Sequence, residues 1–202
     1  MTDAKGNNRL TLLLIAGLPV TMILLASWLW YYVSRGEIDL VGMLGTANNG
    51  QLLDPPLPLQ DVELRNSRGE QVELFSAENS LWRILIPGTG RCDETCIQHL
   101  FYTRQIKAAM GKYSPRIERL YLSPDAMAVQ TLDKNLGEEH PGLKVLYTPE
   151  PAQLWDTLVP ATDAPAYFLV DPRGWIMMSY EAGSDGKAVM ADLKFLLKNS
   201  SD

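Results

Sequence analysis

The sequence is poor in the residues that build metal centres and covalent frameworks. Its 202 residues include two cysteines, Cys92 and Cys96, and two histidines, His99 and His140. Two cysteines exclude a multi-disulfide scaffold, and two histidines exclude a His-rich metal site. Basic residues are also scarce, since 18 Lys and Arg stand against 24 Asp and Glu and give a net charge of −6. Nucleic acid is therefore excluded as a partner, because phosphate binding requires a basic surface.

A charge-free run near the N-terminus is the most prominent hydrophobic feature. Residues 10–33 read LTLLLIAGLPVTMILLASWLWYYV. A helix of this length rises about 36 Å, which is enough to cross the hydrocarbon core of a bilayer. Two tryptophans and two tyrosines cluster between positions 28 and 32, as expected for an aromatic belt at the lipid headgroups. We therefore predict a single transmembrane helix over 10–33.

The charges that flank this segment predict its orientation. Lys5 and Arg9 precede it, whereas the basic Arg35 is soon followed by Glu37 and Asp39. The positive-inside rule then puts residues 1–9 in the cytoplasm and the rest of the chain in the periplasm, with the helix in the inner (plasma) membrane. A cleaved signal peptide is the alternative. Its apolar stretch usually has about 7–15 residues and ends in small side chains, so we expect this longer, aromatic-ended segment to be retained.

The rest of the chain divides into a lead-in and one α/β domain. Residues 34–56 are rich in Gly, Asn and Pro, which predicts a linker, and 57–202 then form the domain. The predicted elements are a hairpin turning at Asn66–Gly69, strands at Leu81–Ile86, Ile117–Leu122, Leu143–Tyr147, Tyr167–Val170 and Trp175–Tyr180, and helices after Cys92, at Met127–Leu136, at Ala152–Leu158 and at Val189–Leu197. This order predicts a mixed sheet sandwiched by helices.

The two cysteines are four residues apart, directly after the first predicted central strand. On a helix they share one face, and a helix that begins at Cys92 favours its thiolate through unpaired N–H groups and the macrodipole. Arg91 adds to this effect, whereas Asp93 opposes it. Thiolates are soft ligands that select Cu(I), and the same pair can cycle between dithiol and disulfide.

Two structural roles are the alternatives for Cys92 and Cys96. A disulfide placed for stability gains least when its loop is short, and only three residues lie between these two. The thiols could instead be buried as small apolar side chains. The position after a core strand and the predicted oxidising compartment favour a functional pair.

At this point the sequence resembles a known family. The segment Leu81–Met110 with its C-x-x-x-C, and the segment APAYFLVDPRGWI, resemble the Sco/SenC family, whose members are membrane-anchored, copper-binding thioredoxin folds that assemble cytochrome oxidase. The resemblance extends roughly over 57–197. It implies a thioredoxin-like domain, Cu(I) as cofactor, Cys92 and Cys96 as its ligands, and a cytochrome c oxidase subunit or its assembly factors as partners.

One departure from the family concerns the third copper ligand. The family histidine before the penultimate strand corresponds to a position near Asp163, where this chain has none. Pro165 lies instead where thioredoxin-like reductases carry a cis-proline against their cysteines, so we predict a cis bond there and include Pro165 with the catalytic candidates. His99, three residues after Cys96, is the candidate for a third metal ligand. We expect His140 to be an exposed loop residue.

Three functions follow from these observations. The first is an accessory factor in cytochrome c oxidase biogenesis that handles Cu(I) or reduces copper-site cysteines through Cys92 and Cys96. The second is a general periplasmic thiol–disulfide reductase with other clients. The third is an oxidase-associated subunit without catalytic activity. The missing histidine favours thiol chemistry or weak copper handling.

Overall fold

The N-terminal helix forms as predicted. The computed structural model describes residues 4–35, 48–76, 79–88, 92–136, 139–150, 152–159 and 167–200. Helix α1 spans Ala4–Ser34, and its part Thr11–Ser34 is long and apolar enough to cross a membrane. The rings of Trp28 and Tyr32 lie 4.8 Å apart near its C-terminal end. The predicted aromatic cluster is thus on the helix itself.

The domain contains a six-stranded mixed sheet in the order β1-β6-β5-β2-β3-β4. The strands are β1 (Gln51–Pro58), β2 (Trp82–Pro87), β3 (Ile117–Ser123), β4 (Leu143–Tyr147), β5 (Tyr167–Val170) and β6 (Trp175–Tyr180). β2, β3 and β4 are parallel, whereas β5, β6 and β1 each pair antiparallel with their neighbours. The predicted thioredoxin-like mixed sheet is confirmed.

Helices cover both faces of the sheet. They are α2 (Glu94–Ala109), α3 (Ala126–Leu136), α4 (Ala152–Leu158) and α5 (Gly186–Asn199), with 3-10 turns at Leu59–Asp61 and Gly111–Arg116. One core cluster joins side chains of α2, α3 and α5 to the sheet, and the other joins α4 and the hairpin to the opposite face. α2 and α3 share a face because successive parallel crossovers are right-handed.

The predicted linker over 34–56 is wrong at its C-terminal end. Gln51–Pro58 forms β1, in which Gln51 lies opposite Ser179 of β6. The segment from Asn48 onward belongs to the same compact unit as the rest of the domain. Proline lacks a backbone N–H and is tolerated on an edge strand, so the prolines that indicated a linker are compatible with this strand.

The buried face of α2 is narrow. Of the apolar residues Ile97, Leu100, Phe101 and Ala108, only Leu100 is buried, and Thr103 and Ile106 are buried beside it. Thr103 is accepted in the core because its hydroxyl donates to the carbonyl oxygens of its own helix, 2.9 Å from that of His99. Ile97 and Phe101 consequently face outward, each 47% exposed.

Two arginines and a histidine are among the buried side chains of the domain. Arg83 in β2 donates to Glu118 at 2.9 Å and to the Leu74 carbonyl at 2.7 Å. Arg119 in β3 lies 3.4 Å from Nδ1 of His140. The expectation that His140 is exposed is wrong: it is 4% exposed, because the chain turns inward after α3 and the His140 N–H donates to the Leu136 carbonyl at 2.8 Å.

Candidate functional site

The cysteine pair lies at the edge of the sheet where β2 and β3 end. These strands are parallel neighbours, with Pro87 opposite Leu122. The Gly88 N–H donates to the Leu122 carbonyl at 2.7 Å and extends this pairing by one residue. Because helices that follow parallel strands begin at the carboxyl edge of the sheet, α2 and α3 both begin here. Two helix N-termini therefore border the site.

Asp93 fixes where α2 begins. It is the N-cap residue, and its carboxylate accepts a 2.9 Å hydrogen bond from the Cys96 backbone N–H. The helix starts at Glu94, as predicted after Cys92, so Cys92 itself does not begin it and the condition for the most direct effect on its thiolate is not met. Cys92 precedes the cap and Cys96 lies in the first turn, because aspartate is among the strongest N-cap residues. The helix N-terminus therefore acts most directly on the Cys96 sulfur.

The two cysteines are joined as a disulfide in this structure. Their Cα atoms are 5.1 Å apart, and both side chains are half-buried against the core cluster that includes Ile86 and Leu100. The pair is thus supported by the core on one side and reachable from solvent on the other. A disulfide that a thiolate can reach is able to exchange, whereas a fully buried one is inert.

Tyr121 and Gly88 support the site and were not singled out in the sequence. Tyr121 is buried in β3, and a Cβ added to Gly88 would meet its hydroxyl oxygen at 1.9 Å. Only glycine therefore lets the chain pass over this ring on its way to Cys92. The Gly-rich turn PGTG was the available signal, but the contact depends on the register of β2 against β3.

The charges described around the pair are negative. Burial, and to a smaller extent the nearby carboxylates of Asp93 and Asp125, raise the pKa of Tyr121 to about 12. Burial lowers the pKa of His99, while the Asp93 charge opposes this shift. His99 is therefore largely neutral at pH 7. Negative charge disfavours a thiolate, whereas the helix N-terminus favours it.

The predicted third ligand, His99, and the predicted cis-proline, Pro165, both stay predictions. Among the residues that the structure describes, no three His, Cys, Asp or Glu side chains are arranged to hold a metal ion. In this disulfide form His99 thus completes no such group with the cysteines, and its role as a ligand stays a prediction. Arg91, Asp163 and Pro165 lie outside the described residues, so the cis-proline also stays a prediction.

A groove extends from the cysteine pair along α3. It encloses about 540 Å³, and its lining residues are Cys92, Asp125, Met127, Ala128, Thr131, Leu132 and Asn135. Ala128 and Leu132 form a mostly buried apolar floor, and Asp125 and Asn135 contribute polar groups. Cys92 is the cysteine that reaches this groove, and nothing in the sequence pattern indicated it.

The sequence of the domain matches one protein family. The family described as "Transmembrane-like, thioredoxin-like, C-terminal domain" matches residues 82–200, which is more than half of the chain. The match begins at β2 and contains both cysteines, α3 and the final helix. No curated protein sequence matches the chain closely enough to count as a relative.

Solved structures of Sco proteins share the fold. Apo Sco1 from Thermus thermophilus has a TM-score of 0.55 at 20% identity and covers 75% of this chain and 99% of its own. Copper-bound ScoI from Arabidopsis thaliana has a TM-score of 0.54 at 16% identity, with 75% and 99% covered. Copper-bound yeast Sco1 has a TM-score of 0.54 at 16% identity, with 78% and 97% covered. The resemblance to Sco proteins is thus confirmed at the level of the fold.

Proposed function

Because the chain belongs to the family of transmembrane-like proteins with a thioredoxin-like C-terminal domain, we propose that it is a membrane-anchored thiol factor in the biogenesis of cytochrome c oxidase. One observation carries the proposal: Cys92 and Cys96 form a half-exposed pair at the start of α2, beside the carboxyl edge of the sheet. The pair either reduces the cysteines of the oxidase copper site or holds Cu(I) for delivery. The resemblance of the C-x-x-x-C segment to the Sco family supports the choice of oxidase as client, and two Sco structures with this fold hold copper.

The thiol reaction is a balanced exchange. A donor dithiol breaks the Cys92–Cys96 bond, supplies two electrons and two protons, and itself becomes a disulfide. A thiolate of the reduced pair then attacks the client disulfide and forms a mixed disulfide. The second cysteine attacks that bond, which releases the client as a dithiol and restores the Cys92–Cys96 disulfide. Asp93 and the core hold the two sulfur atoms close enough for this second step.

The two cysteine sulfur atoms are also suited to carry Cu(I) as a cargo. Two thiolates are soft donors, and soft donors select Cu(I) over harder ions. Disulfide and copper site exclude each other, because each uses both sulfur atoms. The pair must therefore be reduced before it binds Cu(I), and the electron donor is common to both activities.

The anchor supports a periplasmic site of action. Thr11–Ser34 is apolar enough to span a bilayer, and the basic residues Lys5 and Arg9 favour a cytoplasmic N-terminus. A reporter fused after Asp202 should be active only outside the cytoplasm. A cytoplasmic signal would contradict the placement and the oxidising compartment that goes with it.

The decisive experiment deletes the gene for this chain in its host and then supplies wild-type or variant copies. Wild type should restore the activity and copper content of cytochrome c oxidase, whereas Cys92→Ser and Cys96→Ser should not. In parallel, the full chain in detergent is equilibrated with glutathione buffers, alkylated and analysed by mass spectrometry. A Cys92–Cys96 bond that does not respond to strong reductant in the folded protein would contradict both activities.

A general periplasmic thiol–disulfide reductase is the second candidate. It is favoured by the lack of a three-ligand group among the described His, Cys, Asp and Glu residues. In that case oxidase activity would survive loss of the chain while other client proteins accumulate disulfides. The third candidate, a subunit without catalytic activity, predicts that Cys92→Ser restores the oxidase as well as wild type does.

A further inference from the structure

Two neighbouring helix starts place soft sulfur atoms along one groove. β2 and β3 are adjacent parallel strands, and Asp93 and Asp125 lie at the starts of the helices that follow them. The Asp93 carboxylate accepts from the Cys96 N–H at 2.9 Å, and the Asp125 carboxylate accepts from the Met127 N–H at 2.8 Å. Cys96 and Met127 thus occupy the first turns of α2 and α3, on the same face of the sheet.

Met127 and Cys92 line the same groove of about 540 Å³. Adjacent strands lie about 4.8 Å apart, and helices packed on one face lie about 8–10 Å apart. A methionine side chain has three rotatable bonds and a reach of several ångströms. The spacing between α2 and α3 is therefore short enough for the Met127 side chain to reach toward the cysteine sulfur atoms.

Core packing does not account for Met127. Its side chain is 70% exposed, whereas Met110 and Met178 are 2% and 3% exposed and belong to the core. On α3 the core is filled by Ala128, Val129 and Leu132 instead. The Met127 thioether is consequently available to a ligand in the groove.

We propose that Met127 supplies a third sulfur ligand, through its thioether, to a Cu(I) ion held by Cys92 and Cys96. This rests on the copper-handling part of the proposed function and completes the ligand set that lacks the family histidine. Thioether and thiolate are both soft donors that select Cu(I), whereas the Asp125 carboxylate in the same groove is a hard donor. Binding requires prior two-electron reduction of the disulfide by a thiol or phosphine. The cysteines then release their two protons, and the copper keeps its oxidation state.

The test measures Cu(I) affinity and coordination in the full chain. The protein in detergent is reduced with a phosphine and titrated with Cu(I) against a chromophoric chelator. Met127→Leu should weaken binding at least about tenfold, while Met190→Leu, a half-buried methionine of α5, should leave it unchanged. Wild type labelled with selenomethionine should show a selenium neighbour of copper in the X-ray absorption spectrum at the copper edge. Labelled Met127→Leu should lose this neighbour. Circular dichroism establishes that each variant is folded.

The outcomes separate this inference from the proposed function. If Met127→Leu binds Cu(I) like wild type and no selenium neighbour is seen, the thioether ligand is wrong while a two-cysteine copper site stands. If wild type does not compete for Cu(I) although its disulfide cycles, the copper activity and the thioether ligand are both wrong and the reductase activity stands. If His99→Ala removes binding and Met127→Leu does not, the third ligand is His99.

Discussion

Asp192 and Asp93 both bind backbone N–H groups with their carboxylates, but in opposite surroundings. Asp192 on α5 is 6% exposed and accepts from the N–H groups of Asn49 and Gly50 at 2.9 and 3.0 Å, and from the Tyr180 hydroxyl at 2.8 Å. Asp93 at the start of α2 is exposed, and among the described residues the Cys96 N–H is the donor to its carboxylate. One carboxylate holds three chain segments together, and the other caps a single helix.

The difference corresponds to what each region has to do. Asp192 fastens the beginning of the domain to its last helix, and this connection can stay fixed. The Cys92–Cys96 pair must change between disulfide and dithiol, so its surroundings need a defined start of the helix and freedom on the solvent side. Several hydrogen bonds to a buried carboxylate keep the connection at Asp192 fixed. At the cysteine pair one exposed N-cap defines the start of the helix, and the half-buried sulfur atoms stay accessible to solvent.

The largest effect is expected from breaking the buried connection. Asp192→Ala removes the acceptor of the buried Gly50 N–H and of the part-buried Asn49 N–H. It leaves the Tyr180 hydroxyl with Met178 Sδ, a weak acceptor 2.9 Å away, and an unsatisfied buried group costs about 1–3 kcal/mol. The free energy of unfolding of the full chain in detergent should fall by roughly 3 kcal/mol or more, measured with urea and circular dichroism. The matched control is Asp156→Ala, an exposed aspartate of α4. Equal losses for both variants would contradict the role given to Asp192.

A smaller loss is expected where the chain passes over Tyr121. The added methyl group of Gly88→Ala would lie 1.9 Å from the Tyr121 hydroxyl oxygen, so the loop before Cys92 has to move. Overpacking of this kind costs about 1–3 kcal/mol. In Gly186→Ala the new methyl group meets Ile106 at an ordinary 3.6 Å, so stability should not fall.

A double variant tests whether contact with the Tyr121 ring causes the loss of stability in Gly88→Ala. Gly88→Ala combined with Tyr121→Leu removes the ring and should recover part of the lost stability. If the double variant is no more stable than the sum of both losses predicts, contact with the ring is not the reason for glycine at position 88.

A still smaller effect is expected at the exposed cap. Loss of an N-cap costs about 1 kcal/mol, so Asp93→Ala should destabilise by this amount and Asp93→Asn by much less, because asparagine caps equally well. Both variants remove a negative charge beside the cysteines and should therefore raise the rate at which the reduced pair is alkylated at pH 7. The control is Asp185→Ala, which removes the equivalent cap of α5. It should lose similar stability without any change in the alkylation rate.

The alternation of strand and helix in the domain was readable from the sequence because it is local. The boundaries of β4 and α4 agree with the predicted ones, since apolar periodicity and the adjacent turn residues determine them. β1 was missed because its prolines resemble those of a linker, and only pairing with β6 makes it a strand. The carboxylate of Asp192 could not be assigned either, because its partners at 49 and 50 lie far away in sequence.

The sequence predicted the reactive cysteines of the candidate site but not the residues that surround and support them. The spacing of Cys92 and Cys96 and their position after a core strand identified the pair. The contact between Gly88 and Tyr121 depends on the register of two strands, and the groove beside Met127 depends on two helices that start at one edge. A single sequence contains neither of these non-local distances.

At pH 7 the smallest effect is expected for His140, a buried histidine that follows α3. Burial lowers the pKa of His140, and the positive charges of Arg119 and Arg104 lower it further against an opposing effect of Glu139. The unfolded chain therefore binds more protons than the folded one just below pH 6.5, the ordinary pKa of histidine, and stability should fall as the pH decreases through this range, by at most about 1.4 kcal/mol per pH unit. Above pH 7 the contribution is fully present. His140→Asn should flatten the dependence of the urea midpoint on pH between 7.5 and 5. It should do so more than His99→Asn, since two positive charges add to the effect of burial at His140, whereas at His99 burial acts alone against Asp93. An unchanged slope in His140→Asn would mean that folding does not lower the pKa of His140, in conflict with its burial and its 3.4 Å contact to Arg119.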